Sequence, residues 1–538
     1  MKKSISAITL LFFIGYFIVI CLTFQDYGIT WDEGDQNEYG KGVLRYYISG
    51  MKDGLVFTKG NSYLYGALFD SVTALINLFS PLGEYETRHL LNAILGVLGA
   101  AGTFCFAHYL SGSPATGLLA AVFLVLMPRY YGHAFNNPKD IPFAVFYLWS
   151  VYLLARMGDR WQSEENSARA DWIMGLSIGA CMGTLAPGLI ILFYCGLLFF
   201  LVRKEKCRED RVLEPLLASV RKRLLRPFLI ALCTMFVFWP YSHLNPVGNI
   251  LYALNNIFYF PWNFSMMFDG AEIKATEVPW NYILKWYSVT TPFPQLLGLF
   301  LFLLFAPVRI IRGRGEEPRA LSLIIFSMIF PLAWAIVTKS NLYDGLRHFL
   351  FLAPLIAVSG AWGFFRLWLT IRKKFNLAGV RDLVLRVALL SFLLGGLAPV
   401  VKWYIHSHPH QYLYFNQTIN GVRGAFGKYE TDYYGNSERQ ATLWLNQYVK
   451  GQNLGQKLIV CAYSNPKQIS YYLDSKYFLY SPERNMTSNC DVFIANLRWG
   501  FAPKGTILHA ISIHKVPLVY IILNDKKLRI EQKKASST

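Results

Sequence analysis

Long apolar runs separated by short polar or basic breaks dominate the first three quarters of the chain. Ser4 to Phe24 is uncharged over 21 residues, enough for a helix to cross a hydrocarbon core of about 30 Å. Further runs of similar character follow. The predicted spans are 4–24, 88–110, 114–132, 141–158, 171–185, 187–203, 226–241, 292–311, 320–338, 348–366 and 385–402. The segment 62–82 is also apolar but carries Asp70 at its centre, where a charge is costly in lipid. It is expected to lie at the interface beneath the first outer loop rather than to cross.

After Lys402 the pattern changes. Lys457 to Ala462, Asp491 to Ala495 and Val516 to Leu523 are short apolar runs of strand length, and Glu438 to Val449 has a helical period with Ser437 placed to cap it. The fold class expected is mainly α: a polytopic membrane protein of about 11 transmembrane helices with a small extracytoplasmic α/β domain at the C-terminus. The domains expected are 1–402, with interfacial helices in the first outer loop at 25–87, and 403–538. The last dozen residues, ending at Thr538, are expected to fray.

Charge assigns sides. Residues 203–226 hold nine Lys/Arg, 366–386 hold six and 309–319 hold four, whereas 242–291 has only Lys274 and Lys285. Basic loops stay in the cytoplasm, so this alternation places the N-terminus, with Lys2 and Lys3, inside and the tail outside. Counting 62–82 as a span would reverse every later loop. The net charge of +19 is therefore mostly topological, and nucleic acid is not an expected partner. The first apolar segment lacks an A-x-A cleavage site and is kept as a span. The eight cysteines show no metal-binding spacing. Six lie in or beside apolar segments; Cys461 and Cys490 can pair if the tail lies in an oxidising compartment.

Four polar stretches gather at predicted outer boundaries. Thr30-Trp31-Asp32-Glu33-Gly34-Asp35 follows the first span, in a loop with nine Asp/Glu against four Lys/Arg. Two adjacent acids there can divide two roles, one acting as base toward an acceptor hydroxyl and one fixing a loop or a cation, or can form a hydrated acidic loop. Asn136-Asn137-Pro138-Lys139-Asp140-Ile141-Pro142-Phe143 opens the fourth span. Asp140 can cap that helix or supply a second acid to the same cavity, with Lys139 available for a phosphate. Asn341-Leu342-Tyr343-Asp344-Gly345-Leu346-Arg347-His348 puts a permanently charged, planar guanidinium at headgroup depth, where it can meet bulk lipid or one bound phosphate. His406, His408 and His410 alternate before Glu430-Thr431-Asp432-Tyr433-Tyr434-Gly435, without a fourth ligand at clear metal spacing. The loop 242–291 is rich in Trp, Tyr, Phe, Pro and Asn; it reads either as an interfacial aromatic belt or as a surface on which a lipid or sugar stacks.

Together the strings TWDEG, NPKDIPF, YDGLRHFLFLAP and HPHQYLYFNQ…ETDYYG resemble the GT-C glycosyltransferases, and within them family 39, the protein O-mannosyltransferase and aminoarabinose-transferase-like membrane enzymes of bacteria. The resemblance implies an inverting transfer of a sugar from a polyprenyl-phosphate carrier to an extracytoplasmic acceptor (lipid, glycan or protein) at the bacterial cytoplasmic membrane. It implies Asp32, with Glu33 beside it, and Asp140 as catalytic acids. It implies Arg347 as the carrier-phosphate ligand, with His348 and Lys139 as lesser candidates. No cofactor is certain. Some relatives use a divalent cation, for which Asp32, Glu33 and Asp140 are the candidate ligands. Some relatives also place a Lys before Pro-Thr-Gly between spans five and six, where this chain reads Leu185-Ala186-Pro187-Gly188; a phosphate contact from that loop is not expected. Two other function classes fit the bulk features: a transporter or flippase of lipid-linked saccharides, and a non-catalytic membrane assembly protein. Transporters favour charges and broken helices at mid-membrane, whereas the notable charges here lie at outer boundaries.

Overall fold

The computed structural model describes residues 2–58, 60–163, 165, 167–208, 215–262, 264–313, 315–450, 456–487, 489–499 and 504–524. The expected fraying of the last dozen residues lies outside these. Among the described residues, eight helices are long and apolar enough to cross a membrane: Ile5–Asp26, Glu84–Ser111, Asp140–Ser163, Ala186–Cys207, Phe293–Arg312, Glu316–Val337, Arg347–Lys374 and Gly379–His406.

The three other expected spans are helical but different in kind. The run at 114–132 is two helices, Pro114–Val125 and Pro128–Asn136, bent by 67°. Pro128 opens the second helix, and its missing N–H and fixed φ end the first one just before it. The run at 171–185 becomes Ala168–Met182, only 15 residues long. The run at 226–241 belongs to Leu216–Phe238, whose early turns carry Arg221, Lys222 and Arg223. These last two helices pack closely on each other. A Cβ added at Gly175 would lie 2.7 Å from the Pro227 carbonyl oxygen, and Gly179 one turn on faces Ala231 and Thr234. Small residues four apart let helix backbones approach in this way.

The acidic stretch after the first span starts a helix rather than continuing as loop. Glu33–Ile48 has Asp32 immediately before it and Glu33 and Asp35 in its first turn, where carboxylates oppose the positive end of the helix dipole. The apolar run at 62–82 contains the short helix Leu68–Asn77. Its Asp70 is buried and accepts from Arg88 Nη2 at 2.6 Å, so the charge that argued against a span has a partner on the Glu84–Ser111 helix.

The C-terminal part carries a five-stranded mixed sheet. Its spatial order is Phe478–Tyr480, Leu458–Ala462, Val492–Asn496, Val516–Leu523 and Thr506–Ile513. The first three strands run parallel and the last two pair antiparallel. The helix Glu438–Val449 covers one face through Ala441, Leu445 and Val449, against Val460, Ile494, Val519 and Ile521. Cys461 and Cys490 form a disulfide with Cα atoms 5.9 Å apart. Ser437 does not cap that helix through its hydroxyl. Its hydroxyl donates to Asp432, whose carboxylate also accepts from the Asn436 and Ser437 backbone N–H groups at 3.1 Å each. Between the last long helix and the sheet, Tyr412 to Phe415 and Tyr433–Tyr434 are buried in the same core as the helical part.

Candidate active site

Three chain segments far apart in sequence converge on one point. Arg347 begins a 3-10 turn at the head of the Ala353–Lys374 helix. Asp32 precedes the Glu33–Ile48 helix, and Asp140 is the first residue of Asp140–Ser163. Arg347 Nη1 donates to Asp32 Oδ2 at 2.7 Å and to the Tyr434 hydroxyl at 3.1 Å. Its Nε lies 3.9 Å from Asp140 Oδ2 and is buried without a hydrogen-bond partner. Lys139 Nζ lies 3.7 Å from Asp32 Oδ2 and 4.3 Å from the centre of the Tyr65 ring.

Each of these side chains is held in place. Asn137 accepts from the Asp140 backbone N–H at 3.0 Å and donates to Asp140 Oδ2 at 2.8 Å. Asn137 therefore does the capping, which leaves the second carboxylate oxygen of Asp140 outside that hydrogen bond. The Asp32 loop is clamped from the C-terminal part. The Trp31 N–H donates to the Tyr434 carbonyl at 3.1 Å, Asn465 Nδ2 to the Trp31 carbonyl at 3.1 Å, and Gln468 Nε2 to the Ile29 carbonyl at 3.1 Å. Arg347 Cζ lies 5.4 and 5.2 Å from the centres of the Tyr343 and Tyr434 rings, within cation–π range of both.

Glu33 is not part of this convergence. Its carboxylate is fully buried on the other side of the loop, where Oε2 accepts from Thr30 N at 2.9 Å and Thr30 Oγ1 at 3.2 Å and meets His89 Nε2 at 3.2 Å. Of the two roles open to the acidic pair, these are the bonds of the loop-fixing one. The three histidines of the fourth stretch also separate: His408 faces Asp26 at 2.8 Å, His410 faces Gln440 at 2.9 Å, and His406 bonds to the Lys402 carbonyl. Among the described residues no three or more His, Cys, Asp or Glu are grouped to hold a metal ion.

Behind the charged cluster is a cavity of about 360 Å³. Lys139, Asp140, Arg347 and His348 stand at its polar end, and its walls are apolar and aromatic, including Phe143, Leu189, Phe193, Ile257, Phe330 and Trp334. His348 packs edge-on against Tyr343 with ring centres 4.5 Å apart. Leu185, Ala186 and Pro187 line the cavity as apolar wall. Such a cavity suits a ligand with one anionic head and a long hydrocarbon body.

The two cations keep Asp32 ionised. Burial alone would raise the Asp32 carboxyl, but the Arg347 guanidinium and the Lys139 ammonium beside it hold it well below the usual carboxylate range. Burial alone would lower the Lys139 ammonium, and the neighbouring Tyr65 and Asp32 instead keep it raised. The Asp32 and Asp140 carboxylates both face the Arg347 guanidinium, at 2.7 and 3.9 Å.

Three further groups stand at the site with no role expected from the sequence. Tyr434 lies in a noted string but carried no assigned role. Asp344, in the same motif as Arg347, lies 3.5 Å from Arg347 Nη1. Arg498 pairs with Asp344 and, at 3.1 Å, with Glu430.

Residues 72–238 match the family model described as dolichyl-phosphate-mannose-protein mannosyltransferase. The whole fold aligns with ArnT from Cupriavidus metallidurans bound to undecaprenyl phosphate, with a TM-score of 0.51 and 13% identity over 95% of this chain and 97% of that chain. The Archaeoglobus fulgidus oligosaccharyltransferase in its apo form aligns with a TM-score of 0.48 and 12% identity, over 86% of this chain and 65% of that one. No curated protein sequence matches the chain. Its apolar helices, its appended sheet and its alignment along nearly its full length make this chain a polytopic membrane protein of the GT-C glycosyltransferase fold.

Proposed function

We propose that this protein is an inverting membrane glycosyltransferase that takes a sugar from a polyprenyl-phosphate carrier and delivers it to an extracytoplasmic acceptor. The observation that carries the reading is the pairing of Asp32 with Arg347, which itself lines the polar end of an apolar-walled cavity. The carrier phosphate sits at Arg347 and Lys139, with His348 beside it, and the isoprenoid lies along the aromatic wall. The undecaprenyl phosphate bound in ArnT from Cupriavidus metallidurans supports this choice of carrier.

In the reaction the acceptor oxygen bonds to the anomeric carbon as the bond from that carbon to the phosphate oxygen breaks. The acceptor proton passes to Asp32, and the electron pair leaves on the polyprenyl phosphate. The second negative charge of that phosphate develops beside Arg347 and Lys139, so these cations favour the transition state over the ground state. Asp140, 3.9 Å from Arg347 Nε, helps to orient the guanidinium. The two side-chain cations supply the positive charge at the leaving group, and no step is assigned to a metal ion.

Free Asp32 is a weak base because Arg347 stabilises its ionised form. A bound phosphate competes for the same guanidinium. Donor binding thus loosens the Arg347–Asp32 contact and raises the basicity of Asp32 at the moment a base is needed.

The orientation that goes with this reading has the N-terminus in the cytoplasm and the C-terminal sheet outside the bacterial inner membrane. Basic loop placement and the Cys461–Cys490 disulfide support it. The deciding experiment uses membranes holding the protein and a labelled polyprenyl-phosphate sugar. Arg347→Ala is expected to raise the donor KM steeply with the folded protein retained; unchanged donor dependence would remove the carrier site from this cavity.

A further inference from the structure

Asp344 stands between two guanidiniums and has no part in the reaction above. It and Gly345 both adopt left-handed backbone, with φ of +58° and +67°. That conformation is unfavourable for a residue with a Cβ. This turn aims the Asp344 carboxylate at Arg347 Nη1, 3.5 Å away, on one side and at Arg498 Nη2 on the other. Arg498 comes from the turn after strand Val492–Asn496, in the C-terminal sheet. It is anchored on every side: its backbone N–H donates to Asn496 Oδ1 at 2.8 Å, Nε to Glu430 at 3.1 Å and Nη1 to the Tyr433 carbonyl at 2.9 Å. Its guanidinium stands 5.5 Å from the centre of the Trp262 ring. Asp344, Arg498 and Glu430 are all buried.

We propose that Arg498 is a positioning residue for carrier binding: by engaging Asp344 it keeps that carboxylate from neutralising Arg347, so that Arg347 presents its charge to the carrier phosphate. The inference rests on the reading that Arg347 meets that phosphate. The charge balance shows why the pairing matters. Asp32, Asp140 and Asp344 all face Arg347, at 2.7, 3.9 and 3.5 Å. Lys139 and Arg498 each draw on one of these carboxylates. With Arg498 in place these three acids and Glu430 face three cations. Without it, the same four acids face two, in a site that must admit an anion. Asp344 then has Arg347 as its remaining partner and competes with the incoming phosphate for it. Glu430 adjusts more easily, since burial already pushes its carboxyl up to about 7 against the pull of Arg498. The C-terminal sheet thus contributes to the donor site through one side chain, besides holding the Asp32 loop.

The test is titration of the purified full chain in nanodiscs with undecaprenyl phosphate, alongside donor KM, kcat and melting temperature. Arg498→Met is expected to weaken binding roughly tenfold or more and to raise KM more than it lowers kcat. Asp344→Asn, which suits the left-handed backbone, is expected to bind at least as well as the unmodified protein. The double variant R498M/D344N is expected to recover most of the lost affinity, which a merely structural role for Arg498 would not allow. The proposal is overturned if Arg498→Met binds normally, or if the folded double variant binds as weakly as Arg498→Met. Should Arg498→Met fail to fold, Asp344→Asn alone decides, because loss of carrier binding in that folded variant contradicts the proposal. An Arg347→Ala control separates the two levels: if it binds undecaprenyl phosphate normally, the carrier assignment itself falls, and this inference with it.

Discussion

Arg347 and Asp32, 315 residues apart in sequence, share a hydrogen bond of 2.7 Å at the polar end of a cavity with apolar walls. A base candidate and a phosphate-binding candidate therefore hold each other until a ligand separates them. The strength of this pair, and its release, set the behaviour expected of the site.

The first consequence is a pH dependence. Asp32 has its carboxyl held below the usual range by Arg347 and Lys139, so it is ionised at neutral pH in the free protein and loses its charge only under strong acid. A bound donor phosphate draws Arg347 away and moves the Asp32 carboxyl upward. The acid limb of kcat, which reports the donor complex, is expected at higher pH than the acid limb of kcat/KM, which reports the free protein. Coincident limbs, measured in one buffer series at constant ionic strength, would contradict the exchange of partners.

Glu33 should behave unlike its neighbour. Its buried carboxylate ties Thr30 and faces His89, and Thr30 in turn donates to the Asn136 carbonyl at 2.8 Å. Glu33→Gln is expected to lower the melting temperature, at a cost of about 1–3 kcal/mol for disturbing buried hydrogen bonds. Residual activity should keep the normal pH profile. A Glu33→Gln protein with full stability and no transfer would instead make Glu33 a participant in the chemistry.

Sidedness has its own measurement. A reporter active only outside the cytoplasm, fused after residue 405, is expected to be active. In non-reducing gels the intact protein should show the Cys461–Cys490 link. A silent reporter would invert the orientation and put the charged cluster on the cytoplasmic face.

How much was legible in the sequence follows from the range of the forces involved. Apolar runs long enough to span lipid are local signals, and each expected run is helical in the structure. The bend between Val125 and Pro128 has its local signal in Pro128, which the continuous apolar character of the run masks. Strand Thr506–Ile513 was missed because its side chains are mostly half-exposed or exposed and lack a continuous apolar run; Phe478–Tyr480 is only three residues long. Asp32, Lys139, Asp140, Arg347 and His348, which the fold brings together in the candidate site, stand out in the sequence because each is a polar residue at the edge of an apolar run. Glu33 was adjacent to Asp32 and indistinguishable from it in sequence; only the start of the Glu33–Ile48 helix sends the two side chains to opposite sides of the loop. Arg498 carried no signal. It is one basic residue in the C-terminal domain, brought to Asp344 across 154 residues by the packing of the sheet against the helices.

The most direct measurement is transfer by Asp32→Asn in membranes supplied with a labelled polyprenyl-phosphate sugar, read as movement of label from the carrier lipid into acceptor. Asparagine is close in shape to aspartate and cannot take the acceptor proton, while Arg347 and Lys139 remain to hold the phosphate. The expected result is carrier binding equal to or tighter than normal, with transfer reduced by roughly 10²–10⁴-fold. Normal transfer by Asp32→Asn would contradict the assignment of Asp32 as the base.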